Sequence, residues 1–341
     1  MSHLKESLKK ITLFSELSTT ELTQLNGYFQ PFFYEAGEKI ISQAGLHRGL
    51  YLILSGSVEI RLKTFGGGEL SIAKLKAFDA FGEVSLITHY PATANVIAES
   101  AVSGLLLTHV SMETVSIIYP KLADKIKYAI ALGCCQRSRL LLKHLLNKAT
   151  HQQVWSQPKA FKKTFEPEID SFNTNSLDEF LQGSQTKSLP IPFFNELNQD
   201  ELALLNSIIR LKIAYKGDSI KDMASKGRCF YGLLWGAVQA VLVHEHILKV
   251  STYGPGKLFG TMEYVDQLKN PYHYVAREDA IYFSVHEANM MRIKTEMPFL
   301  WNRMMKLLWS SVGEQMSNVN WIFLQLSVED VYQISQGESH V

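Results

Sequence analysis

Residues 81–96, FGEVSLITHYPATANV, gather the groups in this chain best suited to hold a small anionic ligand. Gly82 has no Cβ, so another molecule can approach its backbone closely. Glu83 adds a carboxylate that either accepts a hydroxyl of a bound molecule or caps the turn it opens. Val84, Ser85 and Leu86 begin one helical turn, whose unpaired N–H groups face an anion. Ala94 is small enough to leave its own N–H accessible. A different chemistry would start from His244-Glu245-His246. Alternate residues of a strand share a face, so the two imidazoles could open a metal site. The ILKVSTYG that follows supplies neither the glutamate nor the third histidine needed, and these are read as solvated turn histidines, with no metal expected. Cys134 and Cys135 are helix neighbours about 100° apart, so one is expected to face packing and the other not. No nucleophile–base constellation and no phosphate-binding loop stands out, and no enzymatic activity is expected.

The elements that must position these residues occur twice. LFSELSTTELTQLNGYF begins at Leu13 and PFFNELNQDELALLNSII at Pro192, with Phe14 and Phe194 standing 180 positions apart. The same spacing pairs Glu16 with Glu196, Leu22 with Leu202, Gly37 with Gly217, Tyr51 with Tyr231, Gly56 with Gly236 and Pro91 with Pro271. A register kept that long marks a duplicated domain. Ser18 with Glu21, and Asn198 with Glu201, form capping boxes ahead of apolar positions at helical spacing. GEKIISQ, GLYLILSG and SVEIRLK read as strands. Val58, Ile60 and Leu62 alternate with charged residues, and Gly66, Gly67 and Gly68 turn the chain into ELSIAKL. Pro120 and Pro298 stand where helices begin. Leu122, Ile126, Ile130 and Leu141 recur behind the first proline, and Leu300, Met304 and Leu308 behind the second. Trp301, Met305 and Trp309 widen the latter stripe, read as packing on its own roll.

The expected organisation is a domain at 1–150, a polar linker at 151–188 with a short helix opened by Ser176 and Glu179, a second domain at 189–326, and a tail at 327–341. The fold class is α+β, mainly β: two jelly-roll-like β-rolls, each with a short leading helix and long trailing helices. Hydrophobic residues make up 46% and charged residues 20%, a globular composition. With 34 basic and 33 acidic residues the net charge is +1, which gives no electrostatic reason to expect nucleic acid or a membrane surface as partner. Three cysteines make no disulfide framework, and no signal peptide or membrane-length apolar run is present, so a cytoplasmic setting is expected.

The stretch at 81–96 resembles the phosphate-binding cassette of cyclic-nucleotide-binding domains, the family of catabolite activator proteins and protein kinase A regulatory subunits. Phe81, Gly82, Glu83, Ser85, Leu86, Pro91, Ala94 and Val96 match its pattern. Upstream, Gly37, Glu38, Ile40, Gly45, Tyr51, Ile53, Gly56 and Val58 match as well. The resemblance implies that Glu83 accepts a ribose 2′-hydroxyl, that Phe81, Gly82, Val84, Ser85, Ala92, Thr93 and Ala94 line the ligand, and that Thr93 bonds phosphate or base unless it is merely a strand lead-in. It also implies an arginine after the proline to grip the cyclic phosphate. Ala92 stands there instead. A charge-assisted hydrogen bond contributes roughly 1.5–3 kcal/mol, so its loss weakens binding by about ten- to a hundredfold unless Arg48, Arg137 or Arg139 substitutes.

The second copy, LFGTMEYVDQLKNPYHYVA at 258–276, keeps Phe259, Gly260 and Pro271. Thr261 replaces the glutamate and Tyr272 stands after the proline in place of the arginine. Glu263 offers a substitute ribose contact. The expected function is a non-catalytic cyclic-nucleotide sensor taking cAMP or cGMP, if any, in the first cassette. The alternative is a pseudo-sensor of the same fold that binds only protein. A protein partner or a homodimer is expected, and no cofactor. Residues 327–341 are too few for the helix-turn-helix of catabolite activators. The dozen residues ahead of the first roll leave no room for the docking helix and inhibitor segment of kinase regulatory subunits.

Overall fold

A computed structural model describes residues 2–46, 48–63, 68–88, 91–148, 192–220, 228–243 and 247–337. His244-Glu245-His246, Gly66 and Gly67 of the expected hairpin turn, the stretch 151–188 expected as a linker with Ser176 and Glu179, and residues 338–341 lie outside the described residues. The chain divides into two units, Met1–Ser138 with Asn320–Val341, and Arg139–Val319.

The first unit opens with α1 (Ser2–Lys10) and α2 (Thr19–Leu25). Ser18 accepts the Glu21 N–H while Glu21 accepts that of Ser18, so the predicted capping box forms. Leu22 and Leu25 are buried behind it. Eight strands follow: β1 (Phe29–Tyr34), β2 (Lys39–Ile41), β3 (Gly49–Ser55), β4 (Ser57–Lys63), β5 (Glu69–Lys76), β6 (Ala80–Phe81), β7 (Asn95–Ala98) and β8 (Val102–Thr108). They form two antiparallel sheets, ordered β1-β8-β3-β6 and β2-β7-β4-β5. Ile41, Val58, Val96 and Ala98 of one sheet meet Tyr51, Ile53, Phe81, Val102 and Leu106 of the other in a single buried cluster. Between β6 and β7 lies the short helix α3 (Glu83–Thr88), and after β8 come α4 (His109–Ile118) and α5 (Pro120–Lys148).

The second unit repeats this order. It has α6 (Pro192–Asn195), α7 (Gln199–Ile208), and strands β9 (Arg210–Ala214), β10 (Ser219–Ile220), β11 (Cys229–Trp235), β12 (Val238–Val243), β13 (Ile247–Tyr253), β14 (Leu258–Phe259), β15 (His273–Ala276) and β16 (Ala280–His286). Helix α8 (Thr261–Asp266) joins β14 to β15, and α9 (Glu287–Glu296) and α10 (Pro298–Gly337) follow, the part of α10 from Asn320 onward being assigned to the first unit. Its sheets run β9-β16-β11-β14 and β10-β15-β12-β13, so every strand sits eight places after its counterpart. Asn198 and Glu201 form the second capping box. The duplication read from the sequence is therefore a duplication of topology.

Two sequence readings need correction. Cys134 and Cys135 are both buried. The covered face of α5 takes adjacent pairs, Leu122 with Ala123 and Ile130 with Ala131, so it is wider than the 100° between neighbours. The apolar stripe continues through Leu142 and Leu145, while Leu141, predicted to lie in it, is half-buried. Trp301 is half-buried, and Met304, Met305, Leu308 and Trp309, all residues of the second unit, are buried. α10 continues through 327–337.

Candidate functional site

The backbone at Gly82 has φ +80°, a left-handed conformation that favours glycine, and it turns the chain from β6 into α3. Phe81 is fixed on one side of the turn by stacking on Tyr51, with ring centroids 4.8 Å apart and planes 4° from parallel. Burial of Tyr51 pushes its phenol up to about 12. Ser85 donates to the Gly82 carbonyl at 3.1 Å and tightens the turn. Val84 is half-buried and Ala94 is buried against Leu62. Ala92 and Thr93 are half-buried. Ala92 packs beside the core cluster, its N–H donating to the Gly45 carbonyl at 2.9 Å and its carbonyl accepting from Ala44 at 2.8 Å. The residue in the arginine's place is thus stitched by its backbone to the 44–45 turn.

The Glu83 carboxylate forms an ion pair with Arg137 of α5. The Glu83 side chain is 11% exposed and that of Arg137 42%. Burial opposes the Arg137 charge, but Glu83 and Cys134 more than offset this and hold it above its ordinary value. Arg137 Nε has no hydrogen-bond partner among the described residues. Of the other two candidate arginines, Arg48 bonds Gln30 at 3.0 Å. Arg139 belongs to the second unit, where it grips Asp266 through Nε at 2.5 Å and Nη2 at 3.0 Å and donates to the carbonyls of Leu268 and Lys269. Only Arg137 of the three therefore reaches Glu83. Sequence reasoning overlooked Asn95, which is fully buried. Its Oδ1 accepts the Gln43 N–H at 2.8 Å and its Nδ2 donates to Glu69 at 2.8 Å, tying the end of the cassette to two neighbouring segments.

In the second unit Gly260 repeats the left-handed turn with φ +77°, and Phe259 stacks on Tyr231 at 5.1 Å. Strand register changes how the two cassettes align. Val58 pairs with Ala98 and Ile60 with Val96, while Val238 pairs with Ala276 and Ala240 with Tyr274. Gly37 N–H bonds the Ala98 carbonyl as Gly217 N–H bonds that of Ala276. Glycine and alanine are 16 residues apart in both cassettes, from Gly82 to Ala98 and from Gly260 to Ala276. The spacing of 180 has become 178, because β12 and β13 are joined by two fewer residues than β4 and β5. Counted back along the chain from these ladders, Asn270, and not Tyr272, aligns with Ala92. Tyr272 stands at Ala94 and Tyr274 at Val96. The signal was present in the pairing of Gly82 with Gly260, which already breaks the spacing of 180. Thr261 is buried beside Ser311, and Glu263 accepts the Asn270 N–H at 3.3 Å.

Among the described residues no group of three His, Cys, Asp or Glu side chains is placed to hold a metal ion. None of their helices is long and apolar enough to cross a membrane.

Residues 31–116 match the family model described as the cyclic nucleotide-binding domain. The cAMP-dependent protein kinase regulatory subunit of Mycosarcoma maydis is 34% identical over 105 residues, 31% of this chain and 20% of that protein. The Cyclic AMP receptor protein of Thermus thermophilus is 34% identical over 91 residues, 27% of this chain and 42% of that protein. The matched stretch thus spans less than half of either relative. The regulatory domain of Toxoplasma gondii PKA, solved with cAMP, aligns over 90% of this chain and 97% of its own at 16% identity and a TM-score of 0.33. At that score the likeness says nothing of function.

Proposed function

We propose that this chain, which carries a cyclic nucleotide-binding domain at residues 31–116, is a non-catalytic regulatory protein that senses a cyclic nucleotide in its first unit, with Arg137 supplying the cation that Ala92 does not. The observation that carries this is the ion pair of Arg137 with Glu83 immediately after the left-handed turn at Gly82. An incoming ribose hydroxyl competes with Arg137 for the Glu83 carboxylate. Arg137, released in part and with its Nε unengaged, turns its planar donor set to the phosphate. Ser85, Thr93 and Ala94 then line the ligand. The exchange moves a side chain of α5, and that displacement is what a protein partner or a second copy of the chain would read. Such coupling needs a ligand that prefers one of two states. Because the Glu83–Arg137 pair is neutral overall, binding should be about ten- to a hundredfold weaker than to a cassette carrying its own arginine. The reading places the chain in a reducing, cytoplasmic setting, where Cys134, Cys135 and Cys229 stay as thiols.

One observation favours a second reading. Glu83 already has a cationic partner and the Ala92 N–H is committed to Gly45, so the cassette satisfies itself without ligand. On that reading the first unit binds protein only. Isothermal titration of the full chain with cAMP and with cGMP separates the two. The sensor gives heat at micromolar to high-micromolar ligand, lost in Arg137→Gln and strengthened about tenfold or more in Ala92→Arg. No heat at millimolar ligand from folded protein leaves the interaction module.

A further inference from the structure

We infer that the second unit is permanently self-occupied: the Tyr274 phenol sits where a ligand oxygen would meet Gly260, and α10 is fastened beside it by its own hydrogen bonds. The Gly260 N–H donates to Tyr274 Oη at 3.0 Å, and Asn270 Nδ2 donates to the same oxygen at 3.2 Å. The corresponding positions of the first roll are small: Val96 for Tyr274 through the strand register, and, counting back two and four residues from it, Ala94 for Tyr272 and Ala92 for Asn270. Tyr272 and Tyr274 are 5% and 4% exposed, so both rings lie inside. Tyr274 packs on Phe259 at 5.0 Å and on Tyr253 at 6.2 Å. Burial holds its phenol far above the ordinary range, so the oxygen stays neutral at any working pH.

The trailing helix completes the closure. Ser311 of α10 donates to the Leu258 carbonyl at 2.9 Å and lies 3.3 Å from Thr261 Oγ1, all three being buried. Glu314 pairs with Lys257 at 2.6 Å, and Asn318 donates to Ser251 at 2.8 Å. At the end of α8, Arg139 grips Asp266 and two carbonyls of the following loop. A group built into the chain competes with free ligand at a very high effective concentration. The second unit therefore has one state, helix engaged, and acts as a fixed platform. This holds whether or not the first unit takes a nucleotide.

Hydrogen–deuterium exchange on the full chain tests it. Tyr274→Phe removes the acceptor and should speed exchange at Gly260 by roughly fivefold. Tyr272→Ala with Tyr274→Val, the residues of the first roll, should loosen residues 261–266 and 311–319 together. Ser311→Ala should loosen 311–319 alone and serves if the tyrosine variants do not fold. Millimolar cAMP should leave exchange across 258–319 unchanged in the natural sequence. Unchanged exchange at Gly260 in folded Tyr274→Phe, or cAMP protection at 258–276, would overturn the proposal. Protection at 81–88 concerns only the first unit.

Discussion

Removing either end of the Glu83–Arg137 pair should have unequal consequences, because the two ends are unequally buried. Glu83 is 11% exposed and Arg137 42%. Arg137→Met keeps much of the stem but strands a buried carboxylate. Glu83→Gln leaves an arginine whose side chain is partly open to water, and an amide that still accepts its hydrogen bond. Stranding a fully buried charge costs about 3–5 kcal/mol, and losing a surface pair about 0–1 kcal/mol. Intermediate burial places Arg137→Met near 2 kcal/mol and Glu83→Gln near 1 kcal/mol on the same scales. The double variant removes the stranded charge, so it should cost about 1 kcal/mol less than the sum of the two. The readout is amide exchange of the core strand β3 under conditions where it reports opening of the first unit. There about 2 kcal/mol appears as a roughly thirtyfold increase in rate. Equal costs for the single variants, or strictly additive costs in the double, would refute this account of the pair and with it the mechanism built on Arg137.

Two further outcomes rest on separate features. Glu21 is held below its ordinary value of 4.5, first by a hydrogen bond from Lys125 and then by the backbone of Ser18. A carboxylate lowered in the folded state adds stability that is fully present above about pH 4.5 and disappears as pH falls through its folded value. Glu21→Gln should therefore cost about 1 kcal/mol at pH 7, with the difference from the natural sequence fading toward pH 3; urea unfolding at the two pH values reads this. Gln315 of α10 is 3% exposed, and neither amide atom has a partner among the described residues. Gln315→Met keeps the shape and removes the unpaired dipole, so the melting temperature of the second unit should rise by about 2–4 °C in calorimetry.

What the amino-acid sequence determined by itself is local in range. The capping boxes at Ser18 and Asn198, the helix starts at Pro120 and Pro298, the turn at Gly82 and the alternation along Val58–Leu62 depend on neighbours within one turn or one hairpin. Such patterns state their geometry directly. Duplication was legible because one register held from Phe14 through Tyr51. Tertiary structure decided everything that depends on which distant segments meet. Three arginines were equally plausible from their positions in the chain, yet only Arg137 lies on the face of α5 turned to Glu83, 54 residues away. Cys134 and Cys135 both went inside because α5 is covered over more than the angle between neighbours. Two residues fewer between β12 and β13 moved the alignment from 180 to 178, so that Asn270 aligns with Ala92 and Tyr274 with Val96, and Tyr274 meets Gly260. A hairpin absorbs such a shortening without disturbing either sheet, so the ladder pairing, and not residue counting, assigns the side chains that fill the second roll.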